Sequence, residues 1–311
     1  MRTLVTGGAG FIGSTLVDAL LAAGHEVTVV DDLSRGRREQ VSADAALHVL
    51  DSADASLGTM VAACRPEVVF HQAAQIDVRR SLSEPFLDTH INVLGTVNLL
   101  QACATAGVRR LVFASSGGAI YGDTEHLPTP EHHAPAPASL YGAAKQVGEI
   151  YGNVYARLYG LEFFPLRYAN VYGPRQDPHG EAGVVAIFAE KLLRGEAPVI
   201  NGDGLQTRDY VYVDDVVRAN LLAAATDSRG AFNIGTGRET DVVAIHRLLA
   251  GAAGREGPPR HGPAKPGEQR RSCLDVRLAD SRLDWRPEVS LEEGLRRLVD
   301  SIQVRAEILG A

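Results

Sequence analysis

The first half of the chain alternates short apolar runs with stretches of helical period. Residues 3–6, 27–30, 47–50, 68–71, 111–114 and 163–166 are brief and rich in β-branched or aromatic residues. Gly, Asp, Ser or Pro bound them, so they read as buried strands. Between several of them the period changes. Ile12, Leu16, Ala19, Leu20 and Ala23 share one helical face, and Gly24 suits the stop. Val93, Val97, Leu100 and Ala104 define a second face. Ala144, Val147, Tyr151, Val154 and Leu158 define a third. This alternation predicts an α/β fold, a doubly wound Rossmann-type parallel sheet with helices on both faces.

Beyond about residue 167 the rhythm breaks. Turn signals crowd in at Gly173-Pro174, Asp177-Pro178-His179-Gly180 and Asn201-Gly202-Asp203-Gly204. Gly and Pro are dense from residue 251 to 267. A smaller, less regular C-terminal part that closes over the sheet is predicted. No repeat and no low-complexity tail interrupts the chain.

Composition narrows the function classes. With 45% hydrophobic and 22% charged residues, the 311-residue chain is ordinary globular material for one large core or two smaller ones. The net charge of −7 argues against a nucleic-acid partner, whose phosphates need clustered Lys and Arg. The short basic runs at 35–38, 270–271 and 296–297 read as solvated faces. Cys64, Cys103 and Cys273 lie far apart, giving no disulfide framework and no metal-ligand spacing. No apolar run approaches the ~18 residues that span a bilayer. A cytoplasmic protein with no membrane partner and no metal is expected.

Candidate chemistry begins where the first strand ends. Gly7-Gly8-Ala9-Gly10-Phe11-Ile12-Gly13 follows Thr6 and opens the first helix. Glycines at 7, 10 and 13 suit a tight turn, close backbone approach to a pyrophosphate, and close helix–strand packing. The helix start then aims free N–H groups at phosphates. The second strand ends in Asp31-Asp32, 18 residues past Gly13. An acid there accepts from adenosine ribose hydroxyls and repels the 2′-phosphate of NADP, which selects NAD. Arg35, Arg37 and Arg38 temper that choice. Asp51, just after the third strand, suits either the adenine amino group or a turn cap.

Tyr141-Gly142-Ala143-Ala144-Lys145 opens the third helix, and a spacing of four places Tyr141 and Lys145 one turn apart on one face. A lysine ammonium beside a phenol is expected to lower its pKa, fitting it to exchange a proton with a sugar hydroxyl. Ala114-Ser115-Ser116 ends the strand before it, and its serine hydroxyl would bond the reacting oxygen.

With these residues in view, the chain resembles the extended short-chain dehydrogenases/reductases that act on nucleotide sugars. Within them it is most similar to the UDP-galactose (UDP-glucose) 4-epimerases. The likeness covers nearly the whole length. It is carried by residues 6–13, Asp31-Asp32, His71-Gln72-Ala73-Ala74, Asn92-Val93-Leu94-Gly95-Thr96 and residues 115–122 and 141–145. Residues 166–175, 208–215 and 232–235 complete the set.

The resemblance implies Tyr141 as base, Lys145 as its helper and Ser116 as the catalytic serine. It implies NAD contacts at Gly7, Gly10, Phe11, Ile12, Asp31, Asp32, Asp51, Ser52, Gln72, Ala73, Ala74, Asn92, Ser115, Tyr141, Lys145 and Tyr168. A UDP-sugar would meet Ser116, Asn170, Val185, Asn201, Arg208, Glu268, Arg270 and Ser272, with Asn170 and Arg208 on the diphosphate. The stretch 265–268 also reaches toward the UDP. NAD would then lie on residues 1–167 with return segments near 208–235, and the nucleotide sugar on 168–207 and 236–311. A homodimer through helices near 88–106 and 139–160 is implied too.

One stretch departs from the family. Relatives often read Ser-Ser-Ser-Ala-Val-Tyr-Gly, whereas here Ser115-Ser116-Gly117-Gly118-Ala119-Ile120-Tyr121-Gly122 carries an extra glycine. Counted from the strand, Ser116 takes the catalytic position; counted back from Tyr121, Gly117 does. The strand fixes its end, which favours Ser116. Related dehydratases place an acidic pair after that serine or threonine, and decarboxylases usually keep a glutamate there. Glycines here leave hydride chemistry alone, hence 4-epimerisation of a UDP-hexose through a 4-keto sugar. Ser272 is small, which implies room for N-acetyl groups. UDP-glucuronate 4-epimerisation is the near alternative, and another nucleotide-sugar dehydratase or reductase a further one. A non-enzymatic NAD sensor is disfavoured, because such proteins usually lose the Tyr–Lys pair.

Overall fold

A computed structural model describes residues 1–178, 183–255, 257–265, 267 and 269–309. Seven strands form the central sheet: β1 (Arg2–Thr6), β2 (Glu26–Asp31), β3 (Ala46–Val49), β4 (Val68–His71), β5 (Arg110–Ser116), β6 (Glu162–Tyr168) and β7 (Phe232–Ile234). Their order is β7-β6-β5-β4-β1-β2-β3, and every neighbouring pair is parallel. The order reverses between β1 and β4, which opens a crevice at the carboxyl ends of these strands. The first six strands lie within two residues of the apolar runs. Edge strand β3 is mostly exposed rather than buried. β7 was not expected as a strand.

Helices cover both faces. α1 (Phe11–Ala22) lies on one side, and α2 (Leu57–Cys64), α3 (Gly95–Ala106) and α4 (Leu140–Tyr159) on the other. Further on come α5 (Val184–Leu193), α6 (Val213–Ala225), α7 (Val242–Ala252), α8 (Arg277–Leu283) and α9 (Leu291–Leu309). α6 returns to the α1 side, and its buried Val216, Ala219 and Ala223 share a core with Leu16, Val17 and Leu20. Leu57, Val61, Leu99, Leu100 and Cys103 fill the opposite layer.

Two helical faces differ from expectation. α4 meets the sheet through glycines. A Cβ on Gly148 would sit 2.6 Å from the Phe113 ring, and one on Gly152 2.2 Å from the Phe163 ring. These absences let the helix come close enough to bring Lys145 and Glu149 inside. Of the face expected to be buried, Ala144 is inside and Val147 and Val154 are half-buried, but Tyr151 and Leu158 point outward, Leu158 at 70% exposure. On α3 the core takes Leu99, Leu100 and Cys103, while Val93, Val97 and Ala104 are only half-buried. The helix is entered through a π turn, Thr89–Leu94. Its wider turn rotates the face that follows.

The C-terminal part is built from short strand pairs. Asn170–Tyr172 runs parallel to Tyr210–Tyr212, and Val199–Asn201 to Arg260–Gly262. Thr207–Arg208 pairs antiparallel with Thr240–Asp241. Among the described residues no helix is long and apolar enough to cross a membrane.

Candidate active site

The glycine turn has the shape of a cradle. Gly7 has φ +69°, and a Cβ there would lie 2.5 Å from the Ala73 nitrogen. A Cβ on Gly13 would lie 2.0 Å from the Gly7 carbonyl, so only glycine lets α1 start this close to the turn. Near Gly10 the one close atom is the Gly7 oxygen, at 3.3 Å. No side chain caps α1, which leaves the first N–H groups at Phe11 and Ile12 for a ligand. Asp31 sits buried beside them, its carboxylate accepting from the Ala9 and Leu33 N–H groups, each at 2.9 Å. Burial pushes its carboxyl above the usual range, and those two bonds oppose the shift. A glycine turn that leaves no room for side chains at 7 and 13, an uncapped helix start and a fixed carboxylate together fit a dinucleotide.

Other expected cofactor residues divide into two sets. Ala73 and Ala74 follow β4 and cross above Gly7. Gln72 bonds the Tyr168 hydroxyl at 3.2 Å and Asn220 at 3.1 Å, forming the floor there. Four side chains are instead occupied within the fold. Asp32 is exposed and holds the Ser34 hydroxyl at 2.6 Å. Asp51 caps the Ala53 N–H and meets His90 at 3.2 Å. Asn92 spends its amide on Gln75 and Asp88. Ser115 donates to Glu149 at 2.6 Å, away from the crevice. Strand alternation explains the last: Ser115 and Ser116 face opposite ways. Ser52 is buried under Gly95.

Tyr141 stands where β5 ends. Ser116 and Tyr141 line the same cleft, where the serine hydroxyl favours the phenolate of Tyr141. Ser116 pairs with Tyr168 in the sheet, and the single turn Gly117–Ile120 begins immediately after it. A side chain at 117 would run into Leu274, 2.6 Å away, rather than into the crevice. In this geometry the hydroxyl beside Tyr141 belongs to Ser116. A Cβ on Gly118 would face Asn170 Oδ1 and Ser272 Oγ, each at 3.8 Å.

Lys145 is 4% exposed. Its ammonium donates to the Ala114 carbonyl at 2.8 Å and lies 5.8 Å from the centre of the Tyr141 ring. Burial lowers it to about 8, against a smaller opposing pull from Asp88. The phenol of Tyr141 is pushed up to about 12, also by burial. The expected depression of Tyr141 by Lys145 is therefore not met in the chain by itself. Desolvation outweighs the help of the Ser116 hydroxyl, and the lysine turns its proton toward Ala114.

A cleft of about 780 Å³ runs from Ser116 and Tyr141 to the C-terminal part, a volume typical of a ligand site. Asn170, Asn201, Arg208 and Lys265 also line it. Asp123, past the Gly122 corner, is the one carboxylate on its wall among the described residues. Val185 is turned into the core instead, and Val184, Ile187 and Phe188 form the wall, as one helical face of α5 must. Arg270 grips Asp203 with two bonds of 2.9 and 2.8 Å at the rim, rather than lining the cleft. Ser272 is buried behind Gly118. Glu268 lies outside the described residues. Val78, Arg79 and Leu82 complete the wall near the catalytic end. Sequence reasoning missed these three, which sit on a short helix with no motif of its own.

A dinucleotide cradle, a Tyr–Lys–Ser constellation and an adjoining cleft define an oxidoreductase-like site on a Rossmann fold. Over residues 3–235 the chain matches the NAD dependent epimerase/dehydratase family, and it belongs to that family. It is 50% identical to the UDP-glucose 4-epimerase of Mycolicibacterium smegmatis, across 99% of this chain and 100% of that one. It is similar in structure to a UDP-glucose 4-epimerase of Thermotoga maritima solved with UDP-glucose, at TM-score 0.96 and 49% identity, covering 98% and 99% of the two chains. A Thermus thermophilus UDP-glucose 4-epimerase solved with NAD gives TM-score 0.92 and 46% identity, covering 97% and 99%.

Proposed function

We propose that the chain interconverts UDP-glucose and UDP-galactose by NAD-dependent 4-epimerisation. The observation that carries this reading is Ser116 beside Tyr141, with Lys145 one turn on, in a cleft whose wall also carries Asn170, Asn201, Arg208 and Lys265. Gly7, Gly10, the start of α1 and Asp31 would hold NAD. When bound, NAD supplies the acceptor and donor of the hydride at sugar C4. Tyr141 takes the proton of the 4-hydroxyl, with Ser116 bonding the same oxygen. Lys145 is the positive charge that the chain itself brings to the resulting phenol–phenolate exchange. Asn170 and Arg208 keep the diphosphate anchored while the 4-keto sugar turns, and Tyr141 then returns its proton. The dinucleotide belongs to residues 1–167 with return segments near 208–235, and the nucleotide sugar to 168–207 and 236–311.

The loop at Gly117 and Gly118 supports epimerisation over elimination, since it offers no acid to move a proton at C5 or C6. Two small neighbouring positions, Gly118 and Ser272, support a second substrate class, the UDP-N-acetylhexosamines. Purified protein with NAD should convert UDP-galactose, read by chromatography. If UDP-galactose, UDP-N-acetylgalactosamine and UDP-glucuronate all stay unchanged, the reading fails.

The outward face of α4 supports a homodimer. Ile150, Tyr151, Leu158 and Tyr159 are exposed there, with Leu94 beside them before α3. Apolar surface of this kind marks an interface. Ile150→Glu with Leu158→Glu should give a monomer by light scattering. The unpaired cysteines suit a reducing compartment such as the cytoplasm.

A further inference from the structure

Asp88 is a buried carboxylate with no place in the mechanism above. It ends the turn Pro85–Asp88 and is 2% exposed. Both of its side-chain hydrogen bonds fall on one oxygen: Oδ1 accepts from Gln75 Nε2 at 3.0 Å and from Asn92 Nδ2 at 2.9 Å. Its turn and the π turn that follows it pack directly on α4, the helix that carries Tyr141 and Lys145. The carboxylate lies within electrostatic reach of both side chains, and Lys145 acts on it in return.

The surroundings of Lys145 offer no other free negative charge among the described residues. From β5 come the Ala114 carbonyl and the face of the Phe113 ring, 5.0 Å away, and from β4 comes His71. His71 is buried, and burial keeps its imidazole neutral at ordinary pH. From its own helix come Tyr141 and, one turn on, Glu149. The Glu149 carboxylate is already committed to Arg167 and Ser115. Among the described residues, Asp88 is the remaining carboxylate whose charge acts on the ammonium.

We propose that Asp88 is a positioning residue: a fixed, buried counter-charge that keeps Lys145 an ammonium and thereby sets the pH range in which Tyr141 exchanges its proton. Removing one negative charge lowers the proton affinity of every titrating neighbour, so the sign of the effect is fixed for both groups. The hydrogen-bond geometry supplies a clean variant. In Asp88→Asn the amide oxygen can keep both bonds at Oδ1, and only the charge is lost.

The inference rests on the role given above to Tyr141 and Lys145, but one test of it does not need turnover. The chain has three lysines, Lys145, Lys191 and Lys265. Protein labelled with ¹³C at lysine Cε should give three resonances, assigned by Lys191→Arg and Lys265→Arg. Lys145 should titrate near pH 8 in the parent protein. In Asp88→Asn its midpoint should fall by about one pH unit or more. Asp88→Glu, which restores the charge, should bring it back toward the parent value. If Asp88→Asn does not fold, Asp88→Ser serves as the neutral variant with the same expectation. The pH profile of kcat/KM on UDP-galactose should move to lower pH as a whole. A Lys145 midpoint that stays put in the neutral variants, whatever happens to rate or stability, overturns the proposal. A shifted midpoint in a protein that epimerises nothing counts against the reaction and leaves the counter-charge standing.

Discussion

The two sides of the cleft are held together in opposite ways. On the sheet side, site residues hang from buried hydrogen bonds that cross several elements. Ser115 on β5 donates to Glu149 on α4, which pairs with Arg167 on β6. Arg167 reaches the Tyr121 hydroxyl, which donates to Asn233 on β7. On the rim side, Arg270 and Asp203 are both more than half exposed, and Arg271 grips Glu239 in the same manner. The strands there run for two or three residues. Reacting atoms must be held to a fraction of an ångström, and a buried network does that. A nucleotide handle tolerates a softer grip, and the sugar it carries must be free to turn.

The largest expected effect strikes the rigid side at its chemistry. Tyr141→Phe removes the hydroxyl proposed to exchange a proton with the 4-hydroxyl. Turnover should fall by about 10²–10⁴-fold while NAD still binds. Substantial residual epimerisation would remove Tyr141 from its role as base. The next strikes its frame. Glu149→Ala leaves the Arg167 guanidinium buried without its carboxylate, at a cost of about 3–5 kcal/mol. Denaturant unfolding should show the loss, and Glu149→Leu with Arg167→Met should recover much of it. A single variant as stable as the parent would mean that the sheet side is not held by this network.

The rigid side was also the more legible one in the sequence, up to a limit. Strands β1 to β6, the glycine turn and the Tyr141–Lys145 spacing are local signals, and each lies near where periodicity put it. The network behind them is not local. Tyr121 and Asn233 meet across 112 residues, and no short motif announces that pairing. β7 escaped notice for the same reason: its three residues centre on Asn233, a polar side chain that is buried because the network uses it. α4 misled in a different way. Its apolar residues suggested the buried face, whereas Gly148 and Gly152 made the contact. A hydrophobic pattern reports what is apolar, and the outward face of this helix is apolar too. On the rim side, Arg270 was expected near the nucleotide, and its grip on Asp203, 67 residues away in the chain, carries no local signal.

A smaller effect separates the two sides through pH. Burial, with Lys145 nearby, holds His71 down to about 3. It bonds Thr6 at 2.6 Å and Thr96 at 3.0 Å beneath the catalytic helix. Below its ordinary pKa of 6.5, the unfolded chain takes up a proton that the folded imidazole refuses. Stability from this group therefore falls as pH drops from about 6.5 toward 3. His71→Gln should be less stable than the parent at pH 7, and the gap should narrow on acidification. A gap that stays constant from pH 7 to 4.5 would mean that His71 is not held neutral.

The smallest effect belongs to the rim. Hydrogen bonds from Arg270 and from the Leu205 N–H hold the Asp203 carboxyl well down, at about 2, yet solvent surrounds the pair. Exposed pairs contribute little to stability and are screened by salt. Asp203→Asn should leave the melting temperature within experimental scatter of the parent. What it changes is where Arg270 points. A guanidinium released from Asp203 becomes available to the nucleotide diphosphate, so KM for UDP-galactose should drop by no more than a few-fold while kcat stays put. Raising the salt concentration should shrink that difference. Arg270→Ala should move KM the other way. If Asp203→Asn instead destabilises the fold or lowers kcat as Glu149→Ala is expected to, the rim is as rigid as the sheet side and the contrast between the two collapses.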